Sequence, residues 1–324
     1  MNLLSALRAR NALTRSFRCF FEERSYEEIV TPIVVHCPGT ETYLDYFETH
    51  WLDQRKNKHS MWLRSSPELH MKKALAFGLP AIFQLAPCFR NGGELGPWHN
   101  PEFTMLEWYK VGLSFHEMIQ ETQDLLHYSF NAMKDYGLKT PLVLPSKFDL
   151  ITVTEAFKEF ADLDLWDGDS EFAKKARGKG FLSVREDDDF ETAYFKVLID
   201  AVEPALTKLG ACVLYDYPPS QAALARMENG AAKRFEIYIR GIELCNGFDE
   251  LLHVEENRKR VQETNEKRRL LGKAVTGEDE SFYEALSKGI PPCSGNALGF
   301  DRWLCILLGE EDIHHVLMAD VFGS

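Results

Sequence analysis

A chain of 324 residues, 45% hydrophobic and 27% charged, has the makeup of an ordinary soluble globular protein, with material for one large core or two moderate ones. Its formal net charge of −13 argues against the broad basic footprint of a general nucleic-acid binder. Seven scattered cysteines with no CxxC pair argue against a disulfide framework or a structural zinc site. They fit reduced thiols in a cytoplasmic protein, most of them small core residues. Arg8 and Arg10 interrupt any signal-peptide core, and no apolar run reaches the roughly 18–20 residues of a membrane span.

In chain order, Leu3, Leu4, Leu7, Leu13, Phe17, Phe20 and Phe21 recur at helical spacing, so the pattern predicts an amphipathic helix over residues 3–24. Residues 28–35 are strand-like, but Pro32 cannot donate to a ladder, which places them at an edge or an interface. Residues 40–60 are polar and irregular, and a short strand is expected over 61–64. Ser66, Pro67 and Glu68 make a helix start, with Ser66 at the N-cap; capping alone accounts for Ser66 and Glu68. The apolar run 81–89 and the run 102–111 predict two antiparallel strands joined by a glycine-rich turn. Phe103, Met105, Glu107 and Tyr109 then share one face, beside Arg90 at the end of the first strand. An aromatic ring, a carboxylate, a phenol and an arginine can together hold an organic cation and a phosphate.

Another amphipathic helix follows from residue 115. Residues 140–210 read as a mostly helical, acidic peripheral insertion, and Ala211 to Tyr217 as a strand. A long strand over 235–241 leads into Glu243, Asn246, Asp249 and Glu250, crowded around Gly247. Glu243 and Asn246 reach one face only if a bulge or turn near Gly247 breaks the alternation. Carboxylates this close repel unless a cation lies between them, and hard oxygen ligands suit Mg²⁺ bound with a phosphate, an acidic loop being the plain alternative. A charged helix over 254–271, a short helix over 281–289, and a small-residue strand from Cys293 complete the pattern. That strand runs into a helix near Phe300, with Arg302 in its first turn. The helix dipole disfavours a cation at that end, which points to anion binding by Arg302.

These stretches resemble the three signature motifs of class II aminoacyl-tRNA synthetases. Pro32 matches motif 1, Phe89 and Arg90 through Glu107 motif 2, and Gly299 to Arg302 motif 3. Residues 99–109 and 243–251 are similar to lysyl-tRNA synthetase, and the likeness covers nearly the whole chain. The departures are informative. Only 31 residues precede Pro32, leaving no room for an anticodon-binding barrel, and Ala297 stands where lysyl-tRNA synthetases have glycine. These features, with residues 66–68 and 219–221, resemble the elongation factor P lysine ligase family of stand-alone paralogues.

The resemblance implies a single α+β catalytic domain over 1–324, an antiparallel sheet of six to seven strands flanked by helices, dimerising through motif 1. It implies ATP-dependent activation of (R)-β-lysine, with Mg²⁺, and transfer to a lysine of elongation factor P, without stable tRNA binding. Arg90 would bridge the substrate carboxylate and α-phosphate, and Arg302 the γ-phosphate, with adenine between Phe103 and the Arg302 guanidinium. Glu94, His99 and Asn100 would line the nucleotide loop, while Glu243 and Glu250 would hold Mg²⁺. Ser66, Glu68, Glu107 and Tyr109 would receive the substrate amines, Asn246 would orient its carboxylate, and Ala297 would shape the pocket. Many relatives have a glutamate two residues after the arginine, where this chain has Gly92. Rival readings are a tRNA-charging core, an ammonia-dependent asparagine synthetase and a non-catalytic regulator. A pocket of carboxylates has the wrong sign for aspartate, and the two arginines and two glutamates of a working site are all present.

Overall fold

The computed structural model describes residues 3–93 and 96–318, so Glu94 lies outside the described residues. The chain divides into two compact units: Met1–Ser114 with Asp124–Val143 and Leu252–Ser324, and Phe115–Gln123 with Leu144–Leu251. The chain opens with α1 (Leu3–Glu22), β1 (Glu27–Glu28), β2 (Val34–Val35), β3 (Glu48–Leu52), β4 (Lys58–Leu63), α2 (Glu68–Ala76), β5 (Ala81–Phe89) and β6 (Glu102–Val111). After α3 (Phe115–Asp135) come β7 (Asp149–Thr152), α4 (Val153–Ala161), α5 (Phe172–Gly178), α6 (Phe190–Val197), α7 (Glu203–Leu206), β8 (Ala211–Tyr217), β9 (Met227–Glu228), β10 (Ala231–Ile239) and β11 (Ile242–Asp249). The last elements are α8 (Val254–Leu270), α9 (Glu280–Gly289), β12 (Cys293–Gly299) and α10 (Phe300–Leu308).

In the first unit the sheet order is β1-β5-β6-β12, with β1 parallel to β5 and the other pairs antiparallel. A separate small antiparallel sheet has the order β2-β4-β3. In the second unit the order is β11-β10-β8-β7, with β9 on β10 and β7 parallel to β8. The α+β class is as expected, but the strand count corrects the expectation of a six- to seven-stranded antiparallel sheet. Four strands in one unit and five in the other make nine, two of the pairings being parallel. The extra strands β1, β7 and β9 are two to four residues long, too short to show a period of two.

The strand expected over 28–35 is also corrected. Glu27–Glu28 pairs with β5 and Val34–Val35 pairs with β4, while Pro32 lies in neither strand. The missing N–H divides the run between two sheets. Arg64, buried at 2% exposure, fastens the gap, donating to the Thr31 and Pro32 carbonyls and to Pro87 on β5.

Each unit has its own core. In the first, Phe17, Phe20 and Phe21 of α1 are fully buried, and Phe21 stacks on Phe83 of β5 at 4.6 Å between centroids. In the second, Phe157 of α4 stacks on Tyr194 of α6 at 4.9 Å and packs in one cluster with Cys212 and Leu214 of β8. All seven cysteines are thiols and six are buried, as small core residues. Among the described residues no helix is long and apolar enough to cross a membrane.

Candidate active site

The motif 2 hairpin folds in the expected register. Cys88 faces Phe103 and Gln84 faces Glu107 across β5–β6. On the other side of β6, strand β12 places Ala297 directly opposite Glu107 and Gly295 opposite Tyr109. Strand alternation puts Phe103, Met105, Glu107 and Tyr109 on one face. Ala297 and Phe103 pack against Ala86, Cys88 and Met105, so the Ala297 methyl belongs to the wall beside the carboxylate.

Glu107 is the centre of this cluster. It is 1% exposed, and it accepts hydrogen bonds from the Ser66 hydroxyl at 2.8 Å and the Tyr109 phenol at 2.6 Å. Burial pushes its carboxyl up to about 7, and the neighbouring Glu68 adds to the rise; Tyr109, Ser66 and Lys72 pull it down. Ser66 serves two ends at once, because its Oγ also accepts the Glu68 backbone N–H at 3.0 Å. Helix α2 begins at Glu68 with Pro67 as its N-cap, one residue later than the sequence suggests. One hydroxyl thus serves both the start of the helix and the pocket. Glu68 in turn pairs with Lys72 at 2.6 Å, and the Lys72 ammonium lies 5.8 Å from the Tyr109 ring centre. Sequence reasoning passed over Lys72; its i,i+4 spacing from Glu68 was the available signal.

The expected nucleotide-binding residues meet nearby on the same unit. The Arg90 guanidinium lies 5.2 Å from the Phe103 ring centre, and its buried Nε has no hydrogen-bond partner among the described residues. Asn100 donates to the Glu102 carbonyl, leaving its buried Oδ1 as an acceptor without a donor. Arg302 donates to the Trp98 carbonyl at 3.2 Å and approaches His99 Nε2 at 2.9 Å. Arg90 therefore lies beside Phe103. Asp301 ties the two motifs together: its Oδ2 accepts the Thr104 N–H at 2.6 Å and its Oδ1 pairs with Arg10 of α1.

The second unit carries Glu243, Asn246 and Glu250. The bulge required by the sequence exists, but at Leu244 rather than near Gly247. Glu243 pairs with Tyr238, Cys245 with Ile237 and Asn246 with Glu236, so Leu244 is the extra residue. The shift brings Glu243 and Asn246 to one face, with Glu236 and Tyr238 beside them. Arg234 bonds to Asn246 Oδ1 at 3.2 Å and to Glu236, and Tyr238 donates to Glu236 at 2.7 Å. Glu250 is 2% exposed. The Glu203 carboxyl is pushed up to about 7 by burial and then by the charges of Glu236 and Glu243. Glu236, a second carboxylate near Glu243, escaped the sequence reading because it sits inside an ordinary alternating strand.

Among the described residues no group of three or more His, Cys, Asp or Glu side chains is placed to hold a metal ion. Mg²⁺ takes one or two carboxylates and completes its shell with water and substrate phosphates. Hard, anionic oxygens at Glu243 and Glu250 are the matching donor type, whereas the Glu236 oxygens are taken by Arg234 and Tyr238.

The strand order, the motif 2 hairpin and the motif 3 helix define a class II synthetase core, and comparison with known proteins agrees. The family model for tRNA synthetases class II (D, K and N) matches residues 1–319, and the chain belongs to this family. Within it, curated relatives 33–36% identical to the chain are elongation factor P–(R)-β-lysine ligases, and the chain belongs with these ligases. The proteins of that name from Avibacterium paragallinarum and Pasteurella multocida are each 36% identical to it. The alignments cover 98% and 96% of this chain and 96% and 93% of those proteins. The corresponding protein of Vibrio cholerae is 35% identical over 97% of this chain and 94% of its own length.

Proposed function

We propose that the enzyme activates (R)-β-lysine with ATP and transfers it to the ε-amine of a lysine on elongation factor P. The observation that carries this reading is the buried Glu107, held by Ser66 and Tyr109 with Glu68 alongside. A carboxylate kept out of water recognises an ammonium group, and it repels the acidic side chain that an asparagine synthetase must bind.

In the first step the amino-acid carboxylate attacks the α-phosphate, a P–O bond forms and pyrophosphate leaves. No general base is needed, so positioning and charge stabilisation supply the catalysis. Arg90, with a free Nε, bridges the attacking carboxylate and the α-phosphate, where its planar fork suits two oxygens. Phe103 offers a face to the adenine, and the open Asn100 Oδ1 accepts from it. Arg302, steadied by His99 and the Trp98 carbonyl, takes the γ-phosphate. Glu243 and Glu250 would hold Mg²⁺, which when bound neutralises phosphate charge. Asn246, oriented by Arg234, contacts the substrate carboxylate. In the second step the acceptor amine attacks the mixed anhydride and AMP leaves.

We also assign a cytoplasmic homodimer without stable tRNA binding. Val30, Ile33 and Val34, 91%, 41% and 45% exposed on either side of Pro32, support the dimer face. Sedimentation of a V30D variant as a monomer supports that face, and an unchanged dimer removes it.

The function is tested by ATP–pyrophosphate exchange with α-lysine, (R)-β-lysine, (S)-β-lysine and aspartate in parallel. Preference for (R)-β-lysine, followed by labelling of elongation factor P, supports the proposal. Preference for α-lysine returns the reading to tRNA charging, and exchange with aspartate overturns it.

A further inference from the structure

The amine pocket already contains an ammonium group of its own. Lys72 is fully buried in the middle of α2, an exceptional position for a lysine, and its Nζ sits 2.6 Å from Glu68. Glu68 is linked through Ser66 to Glu107, and Tyr109 bonds to Glu107 while its ring faces Lys72. The Ser66 link reaches the Glu68 backbone N–H, while the Glu68 carboxylate and the Lys72 ammonium act on Glu107 through their charges, so two carboxylates, one lysine, one hydroxyl and one phenol lie in one cluster. Its polar contacts run between α2 and β6, elements of one unit.

We infer that Lys72 is a built-in counter-ion that satisfies Glu68 permanently and reserves Glu107 as the one carboxylate for an incoming substrate ammonium. The inference rests on the reading of this pocket as the amine site. Two open carboxylates here would take up two cations, or would share a proton and present none cleanly. With Lys72 in place, the charge opposite the substrate is fixed. Lys72 acts through Glu68 and Glu107 and is a positioning residue.

Among the described residues, these groups face Glu107. Helix α2 supplies Glu68 and Lys72, and β6 supplies Tyr109. From β5 come Cys88 and the neutral Gln84, and β12 opposes it with Ala297. Arg64 also feels Glu107, but its guanidinium donates to Thr31, Pro32 and Pro87, so it stays constant as Lys72 is varied. Lys72 favours the ionised form of Glu107 and Glu68 opposes it. Since only ionised Glu107 holds an ammonium, removing Lys72 weakens amino-acid binding at low pH and spares it at high pH. A purely structural role would change binding by the same factor at every pH.

The test is the KM for (R)-β-lysine in ATP–pyrophosphate exchange at pH 6.5 and pH 9, for the wild type, K72M, K72R and E68Q. Titration of the substrate amines is common to all four and cancels. For K72M the ratio of KM at pH 6.5 to KM at pH 9 is expected to rise about tenfold, as for a displacement of one pH unit. Methionine conserves the buried volume, and K72R, which keeps the charge, should stay near the wild-type ratio. E68Q should lower the ratio, whatever it does to KM overall, and it answers the question if K72M fails to fold. Equal ratios in all four proteins overturn the role of Lys72. No exchange with (R)-β-lysine in the wild type overturns instead the reading of the site on which this rests.

Discussion

Arg10, Asp301 and Thr104 form a lock whose removal has a calculable cost. Asp301 is 2% exposed and accepts the Thr104 N–H at 2.6 Å, while Arg10 pairs with its other oxygen and also lies 5.0 Å from the Phe300 ring centre. The Arg10 side chain is 24% exposed and that of Asp301 3%, so the pair lies between the surface and the fully buried case. Exposed pairs contribute up to about 1 kcal/mol, and breaking a buried one costs about 3–5 kcal/mol. An R10M variant should therefore lose about 2 kcal/mol. With a urea m-value of about 2 kcal/mol/M, the midpoint falls by about 1 M. D301N keeps an acceptor for Thr104 but abolishes the ion pair, so R10M added to D301N should cost little more. A double-mutant cycle then gives a coupling of about 2 kcal/mol. Thr104 adjoins Phe103 and Asp301 adjoins Arg302, so the same variants should raise the KM for ATP more than that for the amino acid. Additive single effects, with coupling below about 0.5 kcal/mol, would refute the lock.

Ala297→Gly removes the methyl opposite Glu107, and the ratio of kcat/KM for (R)-β-lysine to that for α-lysine should fall about tenfold in the exchange assay. Glu107 keeps its proton up to about 7 in the folded protein, against 4.5 ordinarily, so the folded state binds a proton that the unfolded chain releases first. Stability from this group is therefore highest below pH 4.5 and is lost as pH rises towards 7. The stability difference between wild type and E107Q should change by up to about 3 kcal/mol between pH 4.5 and 8, read from urea midpoints. Glu243→Gln should raise the Mg²⁺ concentration giving half-maximal exchange by about tenfold, and an unchanged requirement would remove Glu243 from the metal site.

What could be read from the sequence follows a physical rule. Strands β5 and β6 and the junction of β12 with α10 fall where expected, because long apolar runs with glycine breaks leave few alternatives. Strands β1, β7 and β9 carry no periodic signal, and β3 lies in a stretch whose exposed Trp51 and Leu52 give no alternating pattern. The link from Ser66 to Glu107 spans 41 positions, so spacing alone could show Ser66 only as a cap. The need for a bulge was visible as a parity conflict between Glu243 and Asn246, but any residue between them would resolve it. Lys72 was visible as a partner for Glu68, whereas its burial depends on the tertiary packing around α2. The Arg10–Asp301 pair joins residues 291 positions apart and has no local signature at all.

The bulge at Leu244 makes β11 behave like a text with a reading frame. Substituting a residue on this strand edits one letter, whereas inserting or deleting one between Glu243 and Asn246 would exchange the faces of everything on one side of the change. Glu243 would turn away from Glu236 while the hydrogen-bond ladder closed normally around it. The protein could then fold with every site residue present and its acidic face dispersed. Length at this point is therefore as much a functional property of the chain as the identity of any carboxylate, and single-residue indels here should abolish exchange activity where substitutions of Leu244 do not.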